Sequence, residues 1–136
     1  MSNGAELDRR SGTLAPGNSL DTALNLGSPV NSITGFNDFV DSTDINDYYR
    51  FTLNDNRIVS AAIFGLSADL DLALLDTSGN AIQSSSNDGS AGDSVTSFGL
   101  NSGTYFIRVN QGVPNASSNY RLTVSVLPTT LLTLPT

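Results

Sequence analysis

The chain of 136 residues contains no cysteine and no histidine. The first absence excludes disulfides and thiol chemistry. The second removes the usual general base, the commonest metal-ligating side chain and any Ser-His-Asp arrangement. Lysine is missing too: all 6 basic residues are Arg, and of 13 acidic residues only Glu6 is glutamate. Helix surfaces favour Glu, Lys, Ala and Leu, so this chain has little to write a helix with. No apolar run approaches the ~18–20 residues of a membrane-spanning helix. The first ten residues, Met-Ser-Asn-Gly-Ala-Glu-Leu-Asp-Arg-Arg, have no apolar core and so carry no recognisable secretory signal. A formal net charge of −7 argues against nucleic acid and anionic membrane as partners.

What is present is the vocabulary of turns and strands: Asp, Asn, Ser, Thr and 12 Gly. The length suffices for one domain with a real core. Residues 41–53 concentrate the pattern: Asp-Ser-Thr-Asp-Ile-Asn-Asp-Tyr-Tyr-Arg-Phe-Thr-Leu. Asp41, Asp44, Asn46 and Asp47 crowd a loop that runs straight into a strand. In that strand Tyr49, Phe51 and Leu53 alternate with Tyr48, Arg50 and Thr52, the period of a half-buried strand. Clustered short carboxylates suit a hard cation such as Ca²⁺, which takes six to eight oxygens at ~2.3–2.6 Å. Turns use the same residues to bond nearby backbone. In that reading Asp47 caps the turn and Asp44 bonds loop amides.

Strands are expected over residues 33–40, 48–53, 58–64, 70–76, 81–84, 95–100, 104–110 and 120–126. Gly35 is a candidate bulge position. Residues 18–27 suit either one helical turn capped by Ser19 or a short strand, ended by Gly27. Asp76-Thr-Ser-Gly-Asn80 is a strong turn signal. Asp69 and Asp71, two apart, share the polar face opposite Leu70, Leu72 and Leu74. Arg50, Arg108 and Arg121 are expected to pair with Asp on outer faces. Seven to eight short strands with turns every 8–12 residues indicate an all-β, antiparallel β-sandwich. It would span residues 18–126, between an N-terminal arm (1–17) and an apolar C-terminal tail (127–136) that Pro128 and Pro135 demote to an edge or linker.

The order of elements resembles the bacterial pre-peptidase C-terminal domain, a family similar to the collagen-binding domains of clostridial collagenases. Four stretches carry the resemblance: Asn18-Ser-Leu-Asp-Thr-Ala23, Asp44-Ile-Asn-Asp-Tyr-Tyr-Arg-Phe51, Asp69-Leu-Asp-Leu-Ala-Leu-Leu-Asp76 with Ser78-Gly79-Asn80, and Gly103-Thr-Tyr-Phe-Ile-Arg-Val109 with Asn119-Tyr-Arg-Leu122. The resemblance implies a jelly-roll-like sandwich. In the collagen-binding relatives a calcium site joins an acidic N-terminal linker to an Asp-x-x-Asp pair before a double Tyr. The pair here is Asp44 and Asp47. Thr13, Ala15 and Gly17 stand where linker ligands belong, leaving Asn18 as the third candidate. Two carboxylates and one amide need backbone carbonyls and water to complete a Ca²⁺ shell. Collagen binding in those relatives uses exposed Tyr on late strands. Here Tyr105 falls on the inward Ile107 and Val109 face and Asn110, Gln111 and Gly112 follow, which argues against collagen.

No catalytic residue is expected. The resemblance implies a non-catalytic accessory module of an extracellular or cell-surface protein, serving binding, secretion or stability, with Ca²⁺ as a candidate cofactor. The partner would be an extracellular polymer. The alternative is a self-assembling structural subunit, a filament or surface layer, joined to copies of itself by exchange of terminal strands.

Overall fold

A computed structural model describes residues 6–7, 14–30, 32–41 and 43–129. Much of the N-terminal arm, and residues 130–136 of the tail, lie outside the described residues. Strands β1 (Glu6–Leu7) and β2 (Leu14–Ala15) pair as a separate antiparallel ribbon. A single 3₁₀ turn, Leu20–Thr22, leads into β3 (Leu24–Asn25). The remaining strands are β4 (Ser32–Val40), β5 (Asn46–Leu53), β6 (Arg57–Phe64), β7 (Leu70–Leu75), β8 (Ala81–Ser85), β9 (Asp93–Leu100), β10 (Gly103–Gln111) and β11 (Ser118–Pro128).

Two sheets form in the orders β3-β5-β10-β7-β8 and β4-β11-β6-β9. With β3 set aside, this is the jelly-roll order, in which sequence neighbours alternate between sheets except at the β7–β8 hairpin. All pairings among β4–β11 are antiparallel, and only β3 runs parallel, beside β5. The eight longer strands are those the alternation predicts.

The period of two decides what is buried. Tyr49, Phe51 and Leu53 of β5, Leu72 and Leu74 of β7, and Ile107 and Val109 of β10 face Val59, Ala61 and Ile63 of β6 and Leu122, Val124 and Val126 of β11. Each large side chain so buried contributes ~1.5–3 kcal/mol. Tyr105 joins this core: its ring stacks on Phe51 at 5.9 Å between centroids, and its hydroxyl donates to the Asn101 carbonyl at 2.8 Å.

Residues 18–27 satisfy both readings of their sequence. Ser19 precedes the 3₁₀ turn and its amide donates to Thr22 Oγ1 at 3.2 Å. Leu24 and Asn25 then pair with β5, and the amides of Leu26 and Thr52 bond the carbonyls of Arg50 and Gly27. The turn roofs the outer face of the five-stranded sheet. Ala23, Ala73, Leu75 and Phe106 are buried there, with Leu20 and Tyr48 packed against them. Alternation alone places Ala73 outside; the roof buries it to 1% exposure.

Two expectations are corrected. Gly35 is not a bulge: β4 pairs with β11 in unbroken register, and the Arg121 guanidinium lies across Gly35 where a Cβ would stand. Leu127 and Pro128 belong to β11 rather than to a tail: Pro128 is its last residue, opposite Arg57 of β6 and two residues past the end of the β4 pairing. At a strand's end the missing N–H costs little.

Candidate cation site at the acidic loop

The loop between β4 and β5 is shaped by Asp41. Its Oδ1 accepts from the Thr43 amide (2.9 Å), the Thr43 hydroxyl (2.8 Å) and the Asp44 amide (2.9 Å). An Asx turn of this kind is why Asp suits the position. Asp41 therefore does the capping that one reading of the sequence gave to Asp47.

Asp47 belongs to the strand. The burial of β5 alternates from its first residue, so Asp47 is the first inward position of the series Asp47, Tyr49, Phe51, Leu53. Its side chain is wholly buried. Oδ2 accepts from the Tyr120 hydroxyl at 2.5 Å, and the Tyr120 oxygen lies 2.7 Å from the Tyr49 hydroxyl. With Asp47 as the acceptor, the proton order runs Tyr49 to Tyr120 to Asp47. Oδ1 is buried with no hydrogen-bond donor. Burial pushes the Asp47 carboxyl up to about 10. Asp38 adds to the rise, Tyr120 opposes it and Asp44 adds again. Burial likewise raises both phenols.

Of the candidate ligands, the structure brings Asp44 and Asp47 into electrostatic contact. Asn18 lies alongside: its Oδ1 accepts the Asn46 amide at 3.3 Å, and the Gly17 carbonyl accepts the Tyr48 amide at 3.0 Å. Sequence reasoning missed Asp38, which enters because β4 pairs with β11 and sets Asp38 opposite Tyr120. It also missed the two-tyrosine chain, although the inward phase of Tyr49 and Tyr120 was visible.

Among the described residues no three Asp, Glu, His or Cys side chains converge closely enough to enclose a metal ion. What bears on Ca²⁺ here is the donor chemistry. The Asp47 Oδ1 is buried without a donor, and the charges of Asp38 and Asp44 bear on the same carboxyl. A hard cation satisfies such oxygens.

The second carboxylate pair, Asp69 and Asp71, is not an open solvated face. Both carboxyls lie over Gly112, where any Cβ would collide with them. Asp69 Oδ1 is buried without a partner. Partial burial raises the Asp71 carboxyl, helped by Asp69 and then Asp93. Arg121 differs from expectation, donating to the Asn37 amide oxygen at 3.2 Å rather than to an Asp, whereas the charge of Arg108 bears on Asp71 and opposes its rise. Arg57 pairs with Asp55 at 3.9 Å.

A jelly-roll sandwich whose first inward carboxylate follows an Asx-capped acidic loop defines the class of the protein. Residues 45–111, from the end of that loop through β10, match the family model of the bacterial pre-peptidase C-terminal domain. The chain carries a domain of this family, as the residues of the Asp44–Phe51 stretch indicated. Its fold is similar to the pre-peptidase C-terminal domain of collagenase from Bacillus anthracis, with 18% identity, a TM-score of 0.61, and coverage of 76% of this chain and 94% of that one. It is also similar to the periplasmic inhibitor of g-type lysozyme, PliG, from Aeromonas hydrophila, at 18% identity, a TM-score of 0.51, and coverage of 76% and 98%. At these identities the likeness is one of fold. No curated protein matches the chain in sequence.

Proposed function

We propose that this chain is a non-catalytic accessory β-sandwich of an extracellular or cell-surface bacterial protein, stabilised by Ca²⁺ at the acidic loop. Its family supports the accessory role. The observation that carries the calcium reading is Asp47 itself, a wholly buried carboxyl on which Asp38 and Asp44 both bear. Asp44 and Asp47 would supply carboxylate oxygens and Asn18 an amide oxygen, with backbone carbonyls and water completing the shell. Bound there, the ion would neutralise the clustered charge and draw the N-terminal segment onto β5. Asp47 would bind as the carboxylate, so ion uptake releases a proton. The test is isothermal titration of Ca²⁺ into chelator-treated protein in two buffers of different ionisation enthalpy. Saturable heat with proton release supports the site, and no heat above dilution removes it.

A second reading, self-assembly by exchange of terminal strands, draws on the β1–β2 ribbon, which pairs with neither sheet, and on β11 running on to Pro128. Removing residues 1–17 or 129–136 would abolish oligomers formed in this way. Monomers from the full chain at all concentrations would contradict it.

A further inference from the structure

The outer face of the four-stranded sheet has a central band with no charged side chain. It is built from Ser60 and Ala62 of β6, Ser94 and Thr96 of β9, and Thr123 and Ser125 of β11, which together line a shallow groove. Register arranges them in two ranks: Thr123, Ala62, Ser94 and Ser125, Ser60, Thr96. The Ser60 and Thr96 hydroxyls are 3.2 Å apart. Exposed aromatics flank the band, Phe64 at 44% and Phe98 at 68% exposure. Arg121, beside Phe64 at one margin, is held by Asn37.

The acidic residues lie elsewhere. Asp38, Asp41, Asp44 and Asp47 belong to the β4–β5 region, Asp69 and Asp71 to the start of β7, Asp21 and Asp76 to turns at the other sheet, and Asp88 to the β8–β9 connection, while Asp55 stands in the turn before β6, paired with Arg57. Asp93 begins β9 but is turned inward, at 2% exposure.

We propose that this face is a self-association surface, and that its occupant is a second copy of the chain packed sheet on sheet. A chain of net charge −7 repels its copies. The uncharged band lets two copies meet without opposing carboxylates. Each hydroxyl both donates and accepts, so the band complements itself, as a two-fold interface requires. Small side chains admit a close sheet-to-sheet approach, and Phe64 and Phe98 supply apolar area at its ends. Three strands ~4.8 Å apart over about six residues of ~3.3 Å rise offer on the order of 300 Å² per copy. The total, ~600 Å², falls below the ~1,200 Å² of specific stable interfaces. The dimer is therefore transient. Salt strengthens it by screening the net charge.

The test is sedimentation equilibrium of the full chain in chelator, which keeps the result independent of any bound cation. Loading runs from about 10 μM to about 1 mM, the range in which weak dimers form. The expected result is a weight-average mass that rises toward the dimer with concentration, and rises further in high salt. Thr96→Asp and Phe98→Asp, each checked for unchanged melting, weaken association at least ~10-fold, as a like charge buried in a contact does. Ser84→Asp, on the outer face of the other sheet, leaves it unchanged. A wild-type chain that stays monomeric throughout overturns the proposal. So does a dimer that Thr96→Asp and Phe98→Asp leave intact, since that contact would lie elsewhere, as in terminal exchange.

Discussion

The Tyr120 hydroxyl donates a 2.5 Å hydrogen bond to Asp47 Oδ2, joining β11 of one sheet to β5 of the other. Tyr49 completes the chain at 2.7 Å. Three polar groups are thereby held inside an apolar core, where each needs its partner. Tyr120→Phe removes the middle member, leaving the Tyr49 hydroxyl without its acceptor and Asp47 without its donor. Equilibrium urea unfolding should show a loss of ~1–3 kcal/mol, the cost of stranding buried polar groups. Tyr49→Phe removes only the terminal donor and should cost less. Equal costs for the two would contradict the proton order drawn here.

The Asp47 carboxyl sets a pH dependence in metal-free protein. Its folded value is raised to about 10, against ~3.9 in an unfolded chain. Between these values the unfolded state binds fewer protons than the folded state, so stability falls as pH rises. The contribution is full below the unfolded value and lost on the way up to the folded one. Asp47→Asn carries no such proton. In chelator its stability should be flatter with pH, and above wild type at pH 9. Parallel profiles for the two proteins would show that Asp47 is ionised in the fold.

Asp41 organises the loop through three hydrogen bonds to one oxygen. Asp41→Ala should lower stability by ~1–2 kcal/mol, the worth of a few partly exposed bonds. Asp41→Asn keeps an acceptor at the same place and should recover most of the loss. Thermal unfolding of the pair separates a capping role from a purely electrostatic one.

Gly112 is required by crowding rather than by backbone conformation. A Cβ there collides with the carboxyls of both Asp69 and Asp71. Gly112→Ala should cost ~1–3 kcal/mol, as overpacking does. Asp69→Ala in the same background should relieve part of it, and a double-mutant cycle measures the coupling. Additive effects would show that the two sites do not touch.

The strands were legible because their alternation is strong. Tyr49, Phe51 and Leu53 announce one face, and Tyr105, Ile107 and Val109 another, without help from tertiary context. The roof over Ala73 and Phe106 was not legible, because residues 20–23 must fold across a sheet assembled from distant strands. Gly35 read as a bulge because a strand glycine usually signals one; here it makes room for a side chain from β11. At the candidate site the pair Asp44 and Asp47 was visible as a motif. Their inequality was not. Asp47 continues the inward series of β5, but a carboxylate breaks an apolar pattern and reads as loop. Asp38 could be found only through the β4–β11 register.

The most direct measurement is thermal unfolding in Ca²⁺ and in chelator, for the full chain and for Asp44→Asn and Asp47→Asn. A ligand at about 100 times its dissociation constant adds ~2.7 kcal/mol to a fold that alone binds it. In a domain of this size that is a shift of several degrees. Such a rise is expected in the wild-type chain, and little or none in either variant. Coincident wild-type curves in Ca²⁺ and chelator would contradict it, and would leave Asp47 as a buried structural acid held by Tyr120.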